Sequence, residues 1–165
     1  MTTVVVNKNQ LVGDRKILIS KSAASRHFVD GPKIFRSADN TFAYASTGML
    51  HSVDTRIEHE LLMKTMLLQL EKGELTDHVK DLVRKNILKD TLILTRKGFY
   101  HVYGGYPYCS SPETDWFVIG SGESMASTAL VAGRTPREAV VFASKHDELT
   151  GSIVDTICAT TLKAL

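Results

Sequence analysis

From Thr2 to Thr47 the chain alternates short apolar, β-rich runs with polar breaks. Thr3 to Val6, Lys16 to Ser20 and Thr41 to Ala45 are set apart by Asn7-Lys8-Asn9 and Asp30-Gly31-Pro32. Runs rich in β-branched residues and bounded by Asn, Asp, Gly and Pro predict antiparallel strands joined by turns. Between about Asp54 and Leu88 the period changes. Ile57, Leu61, Leu62, Met66 and Leu68 recur at helical spacing on one side, Val79, Leu82, Val83 and Ile87 follow, and Gly73 divides two helices. Thr91-Leu92-Ile93-Leu94-Thr95, the turn Arg96-Lys97-Gly98 and Phe99 to Tyr103 read as a hairpin, and Trp116 to Ile119 as a further strand. Helices resume after Gly122. The second opens at Thr135-Pro136-Arg137-Glu138, a capping box with proline at the first helical position. Gly151 to Cys158 closes as a strand. The order strands, two helices, strands, two helices, strand predicts an α+β domain of layered sheets and helices, not a βαβ repeat.

Composition narrows the class. A length of 165 residues, 43% of them hydrophobic and 23% charged, fits one globular domain over residues 1–165 with a full-sized core. Lysine and arginine total 20 against 18 acidic residues, a balance of +2, and no basic run exists to neutralise a nucleic-acid backbone. Cys109 and Cys158 form neither a CxxC pair nor the dense pattern of a secreted scaffold, so reduced cytosolic thiols are expected. No basic-then-apolar leader precedes a cleavage site. Ala139 to Ala143, among the longest apolar runs, is far below a membrane span. The expectation is a soluble, cytoplasmic protein with no nucleic-acid or membrane partner.

Several residues are candidates for chemistry. Methionine before a residue as small as threonine is ordinarily trimmed, which would make Thr2 the first residue. An N-terminal threonine joins a hydroxyl nucleophile to an α-amine of pKa roughly 8, so one residue holds nucleophile and base. The alternative is a chain that simply enters its first strand. Gly120-Ser121-Gly122 follows a strand and opens a helix, a geometry that can cradle phosphate, but Met125 replaces the third glycine of the dinucleotide fingerprint. Gly122-Glu123-Ser124-Met125-Ala126 faintly matches a nucleophile elbow, for which only Glu138 and His146 could supply acid and base downstream. The histidines are scattered. His51 and His59 lack metal-ligand spacing, and His78 reads as a helix-surface residue.

Taken in order, the motifs resemble the proteasome β-subunit family, especially the bacterial HslV-type peptidases. The matching pieces are Thr2-Thr3-Val4-Val5-Val6, Gly13-Asp14-Arg15, Gly31-Pro32-Lys33-Ile34-Phe35 and Phe42-Ala43-Tyr44-Ala45-Ser46-Thr47-Gly48. Ile119-Gly120-Ser121-Gly122 with Ala126, and Ala143-Ser144-Lys145-His146-Asp147-Glu148-Leu149-Thr150-Gly151-Ser152, complete a match that runs nearly end to end. The resemblance implies a four-layer αββα N-terminal nucleophile hydrolase fold and a threonine endopeptidase. It makes Thr2 the nucleophile, Asp14 and Lys33 a buried charge pair beside it, and Ser121 a serine that relays its proton. Asp147 and Thr150 match the family's D-x-x-[ST]-G pattern, threonine keeping the hydroxyl of the usual serine.

Two departures stand out. The family usually has glycine at the position of Ala45, whose backbone N–H forms the oxyanion hole, and alanine keeps that donor only in a suitable backbone conformation. The first hairpin is also shorter than in HslV-type enzymes, as in a compact, phage-type member. The resemblance further implies polypeptide substrates, stacked homo-oligomeric rings of six or seven subunits, an ATP-driven unfoldase as partner, and no metal or organic cofactor. Two other readings share these residues: a catalytically silent shell subunit, and an amidohydrolase acting on a small amide.

Overall fold

The apolar run after Thr3 forms a strand buried on both faces. The computed structural model describes residues 3–21, 26–47, 53–86, 90–103, 106–109 and 115–165. In it β1 (Thr3–Asn7) lies between β10 (Trp116–Gly120) and β2 (Gln10–Asp14), and β2 pairs in turn with β11 (Val154–Cys158). All these pairings are antiparallel. A second antiparallel sheet runs in chain order through β5 (Ile34–Arg36), β6 (Phe42–Ser46), β7 (Thr91–Thr95), β8 (Phe99–Tyr103) and β9 (Tyr106–Cys109). Among the described residues, β3 (Lys16–Lys21) and β4 (Arg26–Asp30) pair only with each other. Among the described residues four α-helices accompany the sheets: α1 (Val53–Lys72), α2 (Asp77–Asn86), α3 (Glu123–Val131) and α4 (Pro136–His146).

Side chains alternate across a strand, so β1 feeds two cores. Val4 and Val6 meet Leu11, Ile34, Ala45, Leu92 and Leu94 between the two sheets. Val5 faces the other way, packing with Val12 against Ala126, Ala139, Val140 and Ala143 of α3 and α4. On the far side of the second sheet, Phe42, Tyr44, Ile93 and Val102 receive Met63, Met66 and Leu67 of α1 with Val79 and Val83 of α2. The result is the expected αββα stack, and each fully buried valine or leucine contributes about 1.5–3 kcal/mol of transfer free energy to it.

The capping box forms as predicted: the Thr135 hydroxyl accepts from the Glu138 amide, and the Glu138 carboxylate accepts from the Thr135 amide at 2.8 Å. The inward face of α1 is the predicted one only in part: Met66 is buried and Leu62 packs against the core, as expected. Ile57, Leu61 and Leu68 are exposed at 59%, 67% and 37%, while Met63, Met66 and Leu67 fill the core. A helix this rich in apolar residues carries two stripes, and periodicity does not say which faces the sheet. Ile87 and Leu88 fall outside the described residues. The strands β2, β4, β5 and β9 escaped the sequence pattern, and β11 begins at Val154 because the preceding residues form a loop around the site. Among the described residues, no helix is long and apolar enough to cross a membrane.

Candidate active site

At the start of β1, three strands and a loop converge on one carboxylate. Asp14 closes β2 and is fully buried; Lys33, just before β5, is 8% exposed. The Lys33 ammonium donates to both Asp14 oxygens, at 2.9 Å to Oδ1 and 2.8 Å to Oδ2. Asp14 Oδ1 also accepts from the Thr3 amide at 2.8 Å, and Oδ2 from the amides of Lys16 at 3.0 Å and Gly151 at 2.9 Å. A buried charge is tolerable only when paired and hydrogen-bonded, and this one has a cation and three backbone donors. Gly151 is required for the approach, because a Cβ there would come within 2.8 Å of Lys16 Cβ. Burial pushes the Lys33 ammonium below its ordinary pKa; Asp14 opposes that shift, and the nearby charge of Lys16 adds to it. The Lys16 ammonium itself reaches the Glu148 carbonyl and lies 4.3 Å from the centre of the Phe28 ring.

A second polar group adjoins the first through Thr3. Its Oγ1 is 2.5 Å from Thr150 Oγ1 and accepts from the Gly122 amide at 3.1 Å. Thr150 donates to Asp147 Oδ2 at 2.6 Å, and Ser121 donates to the same oxygen at 2.7 Å. Burial acts to raise the Asp147 carboxyl, but the hydroxyls of Thr150 and Ser121, the Leu149 amide and the charge of Lys16 outweigh it and hold the pKa below its ordinary value. Gly120, at φ 105°, turns the chain out of β10 and so places Ser121 and Gly122 over this group.

Five of the expected site residues, Asp14, Lys33, Ser121, Asp147 and Thr150, thus belong to two hydrogen-bonded groups that meet at Thr3. Thr2 lies outside the described residues. Ala45 enters neither group: it sits within the β6 ladder, opposite Ile34 on one side and Leu92 on the other, and is fully buried between the sheets. The phosphate-cradle alternative loses a donor, since the Gly122 amide is bonded to Thr3. The Glu138 carboxylate is committed to the helix cap, and His146 stacks on Phe142 with ring centres 4.6 Å apart. His78 is exposed on α2, His51 lies outside the described residues, and among those described no three potential ligands gather to hold a metal.

Sequence reasoning missed Thr3, Lys16, Gly122 and Gly151. Strand alternation was the available signal for Thr3, because its parity is that of Val5, which faces the helices from which Asp147 and Gly122 project.

The architecture has known counterparts. Eukaryotic HslV from Trypanosoma brucei superposes with a TM-score of 0.60 at 15% identity, over 95% of this chain and 97% of that chain. The fold is that of HslV. Thiobacillus denitrificans BPH matches with a TM-score of 0.59 at 16% identity, over 95% of this chain and 96% of its own. No protein-family model and no curated protein sequence matches the chain. At such identity the likeness establishes the N-terminal nucleophile hydrolase fold, and the case for chemistry rests on the residues themselves.

Proposed function

We propose that the protein is the subunit of a threonine endopeptidase whose stacked homo-oligomeric rings enclose the active sites, with Thr2 as nucleophile once Met1 is removed. The observation that carries this reading is the buried Asp14–Lys33 pair bonded to the Thr3 amide, the nitrogen that joins Thr3 to Thr2. A buried ion pair is a poor stabiliser against an apolar replacement, so its presence favours a chemical role.

In this mechanism the Thr2 hydroxyl attacks the scissile carbonyl carbon and passes its proton to the Thr2 α-amine, directly or through one water. The charge of Lys33 lowers the pKa of the hydroxyl. Backbone donors near Ala45, at the end of β6, hold the oxyanion. Collapse of the tetrahedral intermediate breaks the C–N bond, the departing amine takes the proton from the ammonium, and water then hydrolyses the ester to free Thr2. Ser121 and Asp147 hold the amine. The exposed stripe of Ile57, Leu61 and Leu68 on α1 supplies apolar surface for contacts between subunits. An ATP-driven unfoldase delivering polypeptide completes the reading.

Intact mass spectrometry, a fluorogenic-peptide assay and sedimentation test it together. The mature protein should lack Met1, Thr2→Ala should remove turnover while leaving assembly intact, and the species should be far larger than 18.2 kDa. Full turnover in Thr2→Ala, or in protein shown to keep Met1 completely, would sink the assignment. A strict monomer would move the substrate from polypeptide to a small amide.

A further inference from the structure

The hydroxyl chain through Thr3 has only one possible direction. Asp147 is held ionised and so only accepts. Thr150 carries a single hydroxyl proton, and its oxygen lies 2.6 Å from Asp147 Oδ2, so that proton points to the carboxylate. In the 2.5 Å contact between the two hydroxyls Thr150 must then accept and Thr3 must donate. Thr3 Oγ1 meanwhile accepts from the Gly122 amide. The chain therefore runs from the Gly122 N–H through Thr3 and Thr150 to Asp147, and Ser121 donates to the same carboxylate oxygen from the other side. With its proton committed there, the exposed Ser121 offers only lone pairs to whatever lies in front of it.

We propose that Thr3 is a positioning residue: its hydroxyl ties the Ser121-Gly122 turn and the Asp147 carboxylate to the start of β1, so that Ser121 meets the N-terminal amine as an acceptor. This rests on the reading of Thr2 as nucleophile. An acceptor takes one N–H of the amine and leaves the nitrogen lone pair free to receive the hydroxyl proton; a donor in the same place would bind that lone pair and block the base. The tie is tightly built. A Cβ on residue 122 would lie 2.4 Å from Thr3 Oγ1 and 2.9 Å from Thr150 Oγ1, and the N-terminus of α3 has no side-chain cap of its own.

Two substitutions separate the hydroxyl from the rest of the side chain. Thr3→Val keeps the shape and removes the hydroxyl; Thr3→Ser keeps the hydroxyl and removes a methyl group. Thr3→Val should lower kcat by about tenfold or more with KM within about twofold, and should displace the acid limb of the kcat profile, because the amine loses its oriented partner. Thr3→Ser should recover most of that loss. Hydrogen exchange at the Gly122 amide should quicken in Thr3→Val and not in Thr3→Ser. Normal turnover in Thr3→Val, or Thr3→Ser falling as far as Thr3→Val, overturns the proposal while an inactive Thr2→Ala leaves the peptidase reading standing. If instead Thr2→Ala keeps full activity, the peptidase reading fails and so does the role given to the amine, whatever the exchange at Gly122 shows.

Discussion

Thr3 and the three valines after it are equally inaccessible to solvent, yet their surroundings have nothing in common. Val4, Val5 and Val6 touch apolar neighbours on both faces of the sheet, where any residue of similar shape would serve. Thr3 touches a carboxylate, a hydroxyl and an amide, each at a specific atom. One short strand thus passes from a region held by area to a region held by direction. Apolar burial is forgiving and additive, whereas a buried polar group is costly unless every partner is in place. The difference predicts that substitutions at the polar end act on turnover, and substitutions in the valine region on stability.

The largest expected effect is at Lys33. Lys33→Ala and Lys33→Arg should each lower kcat by about a hundredfold or more with little change in KM, since in the proposed mechanism the ammonium acts on the nucleophile, and a planar guanidinium is larger than the ammonium it would replace. Near-normal turnover in Lys33→Arg would show that the polar end is only structural. Leu94→Ala sharpens the opposite half. Leu94 is fully buried between the sheets, and its truncation should cost about 3 kcal/mol in denaturant unfolding with turnover per folded molecule unchanged. Asp14→Asn should be milder than either Lys33 change, lowering kcat by about tenfold, because the lysine stays and loses only its charge partner. Lost turnover in Leu94→Ala at full folding would erase the distinction.

The smallest effect is in pH dependence. The folded pKa of Lys33 is lowered, so between that value and the unfolded value of roughly 10.4 the unfolded chain binds more protons than the folded one. Stability contributed by this group should therefore rise with pH through that window, while turnover falls as the charge is lost. Comparing wild type with Lys33→Met across alkaline pH isolates the term. A parallel fall of both quantities would contradict the assignment.

The sequence made the layers legible because strand and helix periods are local. It also made Asp147 and Thr150 legible, since they sit three residues apart and the loop that joins them is short. Thr3 was overshadowed by its neighbour: what distinguishes it is contact with residues 122 and 150, and no local pattern records such distances. The link from Lys16 to the Glu148 carbonyl was hidden for the same reason. Ala45 is a different case. The family motif concerns its backbone N–H, and the burial of its side chain opposite Ile34 and Leu92 has no bearing on that role.

The carboxylate of Asp14 also has a bearing on time. Its partners are the amide of Thr3, the amide of Lys16, the ammonium of Lys33 and the amide of Gly151, the last 137 positions along the chain. Closing so long a loop is among the later events available to a folding chain, because its entropy must be spent before the contact returns anything. A ribosome-bound chain that has reached α4 already carries Thr2, Asp14 and Lys33, but not Asp147, Thr150 or Gly151. The two hydrogen-bonded groups are therefore closed only after α4 has been made, when the loop carrying Asp147, Thr150 and Gly151 reaches Thr3 and Asp14.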